Sequence, residues 1–288
     1  STPHEESARS LSKPGRGRPS RRNRMPEPSL IDAHCHLDEM ARRGLDVEEA
    51  LERAHRASVH QVITSGDGLA DSREACTLAE RHPEVYFTVG WHPANPRPPT
   101  DPELDELRQL LRHPRAVAVG EIGLDYLARP GREPTPRSVQ REMFDTMLEL
   151  AAEVSLPVVV HQRLAHADVL EVLDRSPAGA VMLHCFSGDA QFALAAADRG
   201  LLCSFAGNVT FASAHDLRAS ARVVPSELLM LETDAPFLAP HPTRGTVCEP
   251  AMVRSTASRV ALERGECLET LARVTSENTR RFFNLPLP

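Results

Sequence analysis

The stretch L-I-D-A-H-C-H-L-D, residues 30–38, sets His34 and His36 two positions apart and flanks them with Asp32 and Asp38. In an extended strand, residues i and i+2 point to the same side. Two imidazoles then aim at one point while Cys35 faces away. Such a pair can hold a divalent metal, although a lone H-x-H is more often a solvated strand end. Residues of the same chemical types recur after other apolar runs. They are His92 in G-W-H-P, Glu121 and Asp125 in G-E-I-G-L-D-Y, His161 after P-V-V-V, His184 after A-V-M-L, and Asp234 in E-T-D-A-P. Ionisable side chains that end buried runs are costly unless paired or metal-bound. Their recurrence predicts a metal site.

The elements that must carry these residues are legible from periodicity. Short apolar runs begin near residues 30, 61, 85, 116, 157, 180, 201 and 228. Several lack polar alternation, as parallel strands buried on both faces do. Helical stretches lie between them. Asp46 with Glu49, and Asp71 with Glu74, read as helix starts of the capping-box type. Residues 137–154 place Phe144, Leu148, Ala151 and Ala152 on one stripe, and Gly200 falls where a helix terminates. Eight strand–helix units predict an α/β fold, a (β/α)8 barrel, whose chemistry sits at the C-terminal ends of the strands. An open doubly wound sheet is the competitor, but no G-x-G-x-x-G opens a helix.

Composition narrows the class. The 288 residues are 41% hydrophobic and 25% charged, enough for one large domain. No run approaches a membrane span. The six cysteines form no C-x-x-C pair and read as reduced thiols of a cytoplasmic protein. Residues 1–28 hold seven Lys/Arg against three Glu, while the whole chain carries −7. They predict a disordered basic leader, either a solvated tail or a phosphate-binding arm, ahead of a barrel domain over residues 29–288. The acidic body is unlike a protein that grips nucleic acid through a broad basic face. Arg21-Arg22 lacks a following apolar region, so no export signal is read there.

Four imidazoles and two carboxylates suffice for two divalent ions sharing a bridging carboxylate. Such a pair clamps a hydroxide and stabilises both oxygens of a phosphoryl displacement. Imidazole-rich sites suit Zn, Mn or Fe, whereas Mg prefers oxygen ligands. The residues leave Mg, Mn and Zn all open.

The motifs D-A-H-C-H-L, G-W-H-P, V-G-E-I-G-L-D-Y, P-V-V-V-H, H-C-F-S-G, G-N-V-T-F, E-T-D-A-P-F-L and N-T-R-R-F-F, in this order over residues 30–284, resemble the TatD family of metal-dependent deoxyribonucleases. The resemblance implies an amidohydrolase-like barrel and 3′–5′ exonuclease activity on DNA in repair or degradation. It implies two divalent ions held by His34, His36, Glu121, His161, His184 and Asp234, with Glu121 bridging. Asp234 would orient or deprotonate the attacking water, and His92 would contact the scissile phosphate. Arg163 and Arg244 would bind substrate. Single-stranded DNA or 3′ ends are the expected partner, with no membrane and no stable protein partner. Lys13 is the only lysine and lies in the leader, so no carboxylated lysine can bridge the ions. That disfavours phosphotriesterase- or urease-like chemistry. Thr246, Cys248 and Met147 depart from the family pattern and bear on substrate preference.

Two other functions compete with the nuclease. One is a hydrolase of the same barrel acting on a small amide, lactone or phosphoester, because the same nucleophile attacks carbonyl and phosphoryl centres. The other is a noncatalytic protein that binds metal or nucleic acid. Cys35 is expected to pack between strand and helix, and Asp38 to orient an imidazole. Asp32 has no assigned role.

Overall fold

The computed structural model describes residues 29–287 except 130 and 132. The basic leader, residues 1–28, lies outside the described residues. Eight parallel strands follow the chain order around a (β/α)8 barrel. They are β1 (Leu30–Cys35), β2 (Val59–Thr64), β3 (Val85–Val89), β4 (Ala116–Asp125), β5 (Val158–Arg163), β6 (Val181–Leu183), β7 (Leu202–Phe205) and β8 (Leu229–Leu231). Each run expected from the sequence carries one of them. Among the described residues, no helix is long and apolar enough to cross a membrane.

The core has two layers. Ile31, Ala33, Ile63, Val117, Val159, Met182 and Met230 fill the barrel interior. Phe282 and Phe283, at the end of the helix Leu268–Phe283, join this inner cluster. Asn278, one helical turn earlier, donates to the carbonyls of Ser226 and Leu229 at 2.7 and 2.8 Å, fixing that helix to the start of β8. The N-T-R-R-F-F motif is therefore a structural plug. The larger outer cluster, with Phe87, Phe144 and Leu148, lies between the sheet and its helices.

The helix signals are borne out with one exception. Asp46 accepts from Glu49 N at 2.9 Å and caps the helix Val47–Arg56. The stripe at 137–154 is the helix Arg137–Val154. Gly200 adopts φ +70° beyond the helix Ala190–Ala197, where Leu201 N returns to Ala196 O at 3.1 Å. Asp71 does not cap its helix. Leu69–Arg81 begins two residues before it, with Gly68 at the N-cap, and Asp71 instead pairs with Arg42 at 3.2 Å. An acidic residue in the first turn has the same dipole preference as a cap, so the local signal could not separate the two.

Candidate metal centre

Simple alternation would have aimed the two histidines of β1 the wrong way. Ile31 and Ala33 lie in the inner cluster, which by strict alternation sends Cys35 inward and His34 and His36 outward. The pairing of β1 with β2 shifts between Asp32 and Cys35, and the phase reverses there. Cys35 is buried in the outer layer, as expected of a packing residue. The Nε2 atoms of His34 and His36 converge to 3.2 Å.

The pairing of β4 with β5 shifts similarly between Val119 and Ile122, around Glu121. Two glycines let neighbouring strands approach there. A Cβ on Gly90 would stand 2.2 Å from Glu121 N, and one on Gly123, at φ +138°, would stand 2.1 Å from His161 O.

Glu121 is the hub, and its two oxygens serve different imidazoles. Oε1 lies 2.5 Å from His161 Nδ1, 2.8 Å from His184 Nε2 and 3.3 Å from His92 Nε2. Oε2 lies 3.3 Å from His34 Nε2 and 3.5 Å from His36 Nε2. Asp234 joins the second group, its Oδ1 3.5 Å from His36 Nε2 and 3.8 Å from His34 Nε2. Three sets of donor atoms fall within 4.8 Å of one another: His34–His36–Glu121, His34–His184–Asp234 and His92–Glu121–His161. Imidazole nitrogens and carboxylate oxygens at this spacing fit divalent transition ions.

Three further carboxylates orient the imidazoles from behind. Glu232 Oε1 lies 3.2 Å from His184 Nδ1 and also accepts from Cys185 N at 2.8 Å. Asp125 Oδ2 lies 3.3 Å from His161 Nε2. Each holds a ring proton on the far nitrogen and leaves a lone pair facing Glu121. Asp67 Oδ1 lies 3.7 Å from His36 Nδ1. The sequence points to Asp38 for such a role, but Asp38 Oδ2 pairs with Arg42 at 3.0 Å. Asp67 and Glu232 escaped sequence reading. Asp67 sits in the turn S-G-D-G, where aspartate is ordinary, and Glu232 is masked by the more conspicuous Asp234. The available signal was that Glu232 directly follows the buried run of β8.

His92 differs from the others. Its Nδ1 accepts from Ala94 N at 3.0 Å. The ring proton therefore sits on Nε2, which faces Glu121 as a donor rather than as a lone pair.

Gln140, buried in the helix Arg137–Val154, clamps the end of β4. It accepts from Asp125 N at 2.8 Å and donates to the carbonyls of Asp125 and Thr135 at 2.9 and 2.8 Å. Asp32 closes the barrel seam. Its carboxylate accepts from Thr233 N at 2.8 Å and from Thr233 Oγ1 at 2.5 Å. Just beyond, Asp234 N donates to His34 O and His36 N to Ala235 O.

The field inside the cluster favours cations. Burial lowers the basicity of His36, His161 and His184, yet the facing carboxylates outweigh it and all three are raised, His36 to about 10. Burial would raise Glu121 and Asp234, yet the imidazoles hold both carboxyls below their ordinary value. A pocket that draws protons onto buried imidazoles draws divalent cations by the same field.

The cluster opens into a cavity of about 590 Å3 lined by His36, His92, Glu121, His161, His184 and Asp234, with Arg163 and Arg129 also on its wall. Arg244 is absent from that lining; its guanidinium stacks 4.3 Å above the Phe211 ring. Five of the six expected ligands, with His92 and Arg163, thus line one cavity, while His34 lies buried just behind it against His36 and Glu121, and Arg244 stands apart.

Residues 31–284 match a family model described as TatD related DNase. A Mycobacterium tuberculosis protein named "Uncharacterized metal-dependent hydrolase TatD" is 41% identical over 89% of this chain and 98% of its own length. A Salmonella typhimurium protein named "3'-5' ssDNA/RNA exonuclease TatD" is 34% identical over 83% of this chain and 94% of its own. The crystal structure of YjjV, a TatD homologue from Escherichia coli, superposes with a TM-score of 0.82 at 31% identity, covering 89% of this chain and 98% of that one.

Proposed function

The chain belongs to the TatD-related DNase family and is a metal-dependent hydrolase, and we propose that it is a 3′–5′ exonuclease acting on single-stranded DNA ends in DNA repair or degradation. We assign two divalent ions to it, held by His34, His36, Glu121, His161, His184 and Asp234. The observation that carries this reading is the division of Glu121, whose Oε1 faces His161 and His184 while Oε2 faces His34 and His36. When bound, such a pair of ions lowers the pKa of water and stabilises charge on a phosphoryl group. The name of the Salmonella relative supports the substrate class.

The residues of this chain then take separate tasks. Glu121 is buried and held by five imidazoles, so it fixes the centre and does not move protons. Asp234 keeps 14% of its side chain exposed and lines the cavity, where its carboxylate takes the proton of the attacking water. Nε2–H of His92 donates to a non-bridging oxygen of the scissile phosphate, opposing the charge that builds as the phosphoryl centre is attacked. Arg163, on the cavity wall, pairs with phosphate. Arg244, on Phe211, serves the strand farther from the reacting bond. We assign the hydrolase domain to residues 29–288 and read the basic sequence of residues 1–28 as a leader.

The test is an assay of chelator-treated protein with Mg, Mn or Zn added back, using 3′- and 5′-labelled single- and double-stranded oligonucleotides. Stepwise loss of nucleotides from the 3′ end of single strands is expected, and Asp234→Ala abolishes it without unfolding the chain. Turnover of a lactone or an amide with no cleavage of any oligonucleotide would overturn the reading in favour of a small-substrate hydrolase.

A further inference from the structure

The cavity has a polar wall that hydrolysis itself does not use. β5, β6 and β7 are neighbours, and the residues at or just beyond their C-terminal ends deliver Gln162, Ser187 and Asn208 to the lining. Gln162 is 3% exposed, yet its Nε2 has no hydrogen-bond partner. Its Oε1 lies 3.3 Å from Ser187 Oγ, which also lies 3.2 Å from the Gln162 carbonyl. Flipping the amide exchanges its two ends but leaves one of them unpaired in either setting. Asn208 repeats the pattern, with Oδ1 buried and unpartnered.

Buried polar atoms without partners are uncommon and costly. Two residues on one cavity wall each carry such an atom, and a ligand that reaches both with a small side-chain shift can supply the missing bonds. Phosphate offers only acceptors at neutral pH, so it satisfies an amide N–H and leaves a carbonyl oxygen unpaired. A nucleobase edge offers donor and acceptor side by side, and the carboxamides of Asn and Gln pair with such edges. A base outside a duplex is read in this way on its Watson–Crick or Hoogsteen edge. The Phe237 ring, 38% exposed, lines the same cavity and adds an aromatic surface for the base.

We propose that Gln162 and Asn208 read the edge of the 3′-terminal base, so that the enzyme discriminates among terminal nucleotides. The inference rests on the nuclease reading above.

The test uses single-stranded oligonucleotides that differ only at the 3′-terminal residue, which is A, C, G, T or abasic. kcat/KM is measured for wild type, Gln162→Met and Asn208→Leu. Wild type should separate its best base from the abasic end by about tenfold or more, the scale of one paired base edge. Each variant should bring that ratio to within about twofold; because it is a ratio, a uniform loss of activity cancels. Equal rates on all five ends by wild type, or ratios unchanged in both folded variants, would overturn the inference while leaving the nuclease intact. Absence of cleavage with every oligonucleotide would remove the nuclease reading and this one together.

Discussion

Asp32 and Thr233 join the first strand of the barrel to the segment after the last, with the Thr233 N–H and hydroxyl both bonded to one buried carboxylate. This clamp sits two residues from His34 on one side and one from Asp234 on the other, so it sets the spacing of two candidate ligands. Asp32→Ala leaves both Thr233 donors buried without a partner. The expected loss is about 2–4 kcal/mol of stability, read from urea unfolding. Burial pushes the Asp32 carboxyl well above its ordinary value, so the neutral, isosteric Asp32→Asn should lose less. Equal stability of wild type and Asp32→Ala would contradict the role.

Glu232 is buried behind His184 and holds its Nδ1. Removing such a partner typically weakens metal binding about 10–100-fold. Glu232→Ala should show a loss of that size in a metal titration, with circular dichroism unchanged. Unaltered affinity would mean that the His184 tautomer is set elsewhere.

Arg163 and Arg244 were both expected to bind substrate, but only Arg163 lines the cavity. Arg163→Ala should raise KM about tenfold with a smaller change in kcat. Arg244→Ala, which loses a stack on Phe211, should change KM for a long oligonucleotide a few-fold and leave that for a dinucleotide unchanged. Equal effects of the two on the dinucleotide would refute this division.

Much of this architecture is legible in the sequence because parallel barrels impose a repeating pattern of apolar runs, and their ends must meet at one mouth. Residue type then gathers His34, His36, His92, Glu121, Asp125, His161, His184 and Asp234, and the family resemblance selects the six ligands among them. What sequence could not supply is phase and partnership. The shift in β1 that turns His34 inward depends on pairing with β2. The choice of Asp67 over Asp38 beside His36 depends on how the β2 turn folds across β1. Asp32 stayed without a role because its partner lies 201 residues away along the chain.

The division of Glu121 between two groups of imidazoles is the centre of the account. It is tested most directly by titrating chelator-treated wild type and Glu121→Gln with Mn2+, counting ions bound per chain and measuring oligonucleotide cleavage in the same samples. Two ions per wild-type chain are expected. Glu121→Gln should lose at least one of them, and cleavage should fall at least about 100-fold. A Glu121→Gln chain that still binds two ions and cleaves at the wild-type rate would contradict the account.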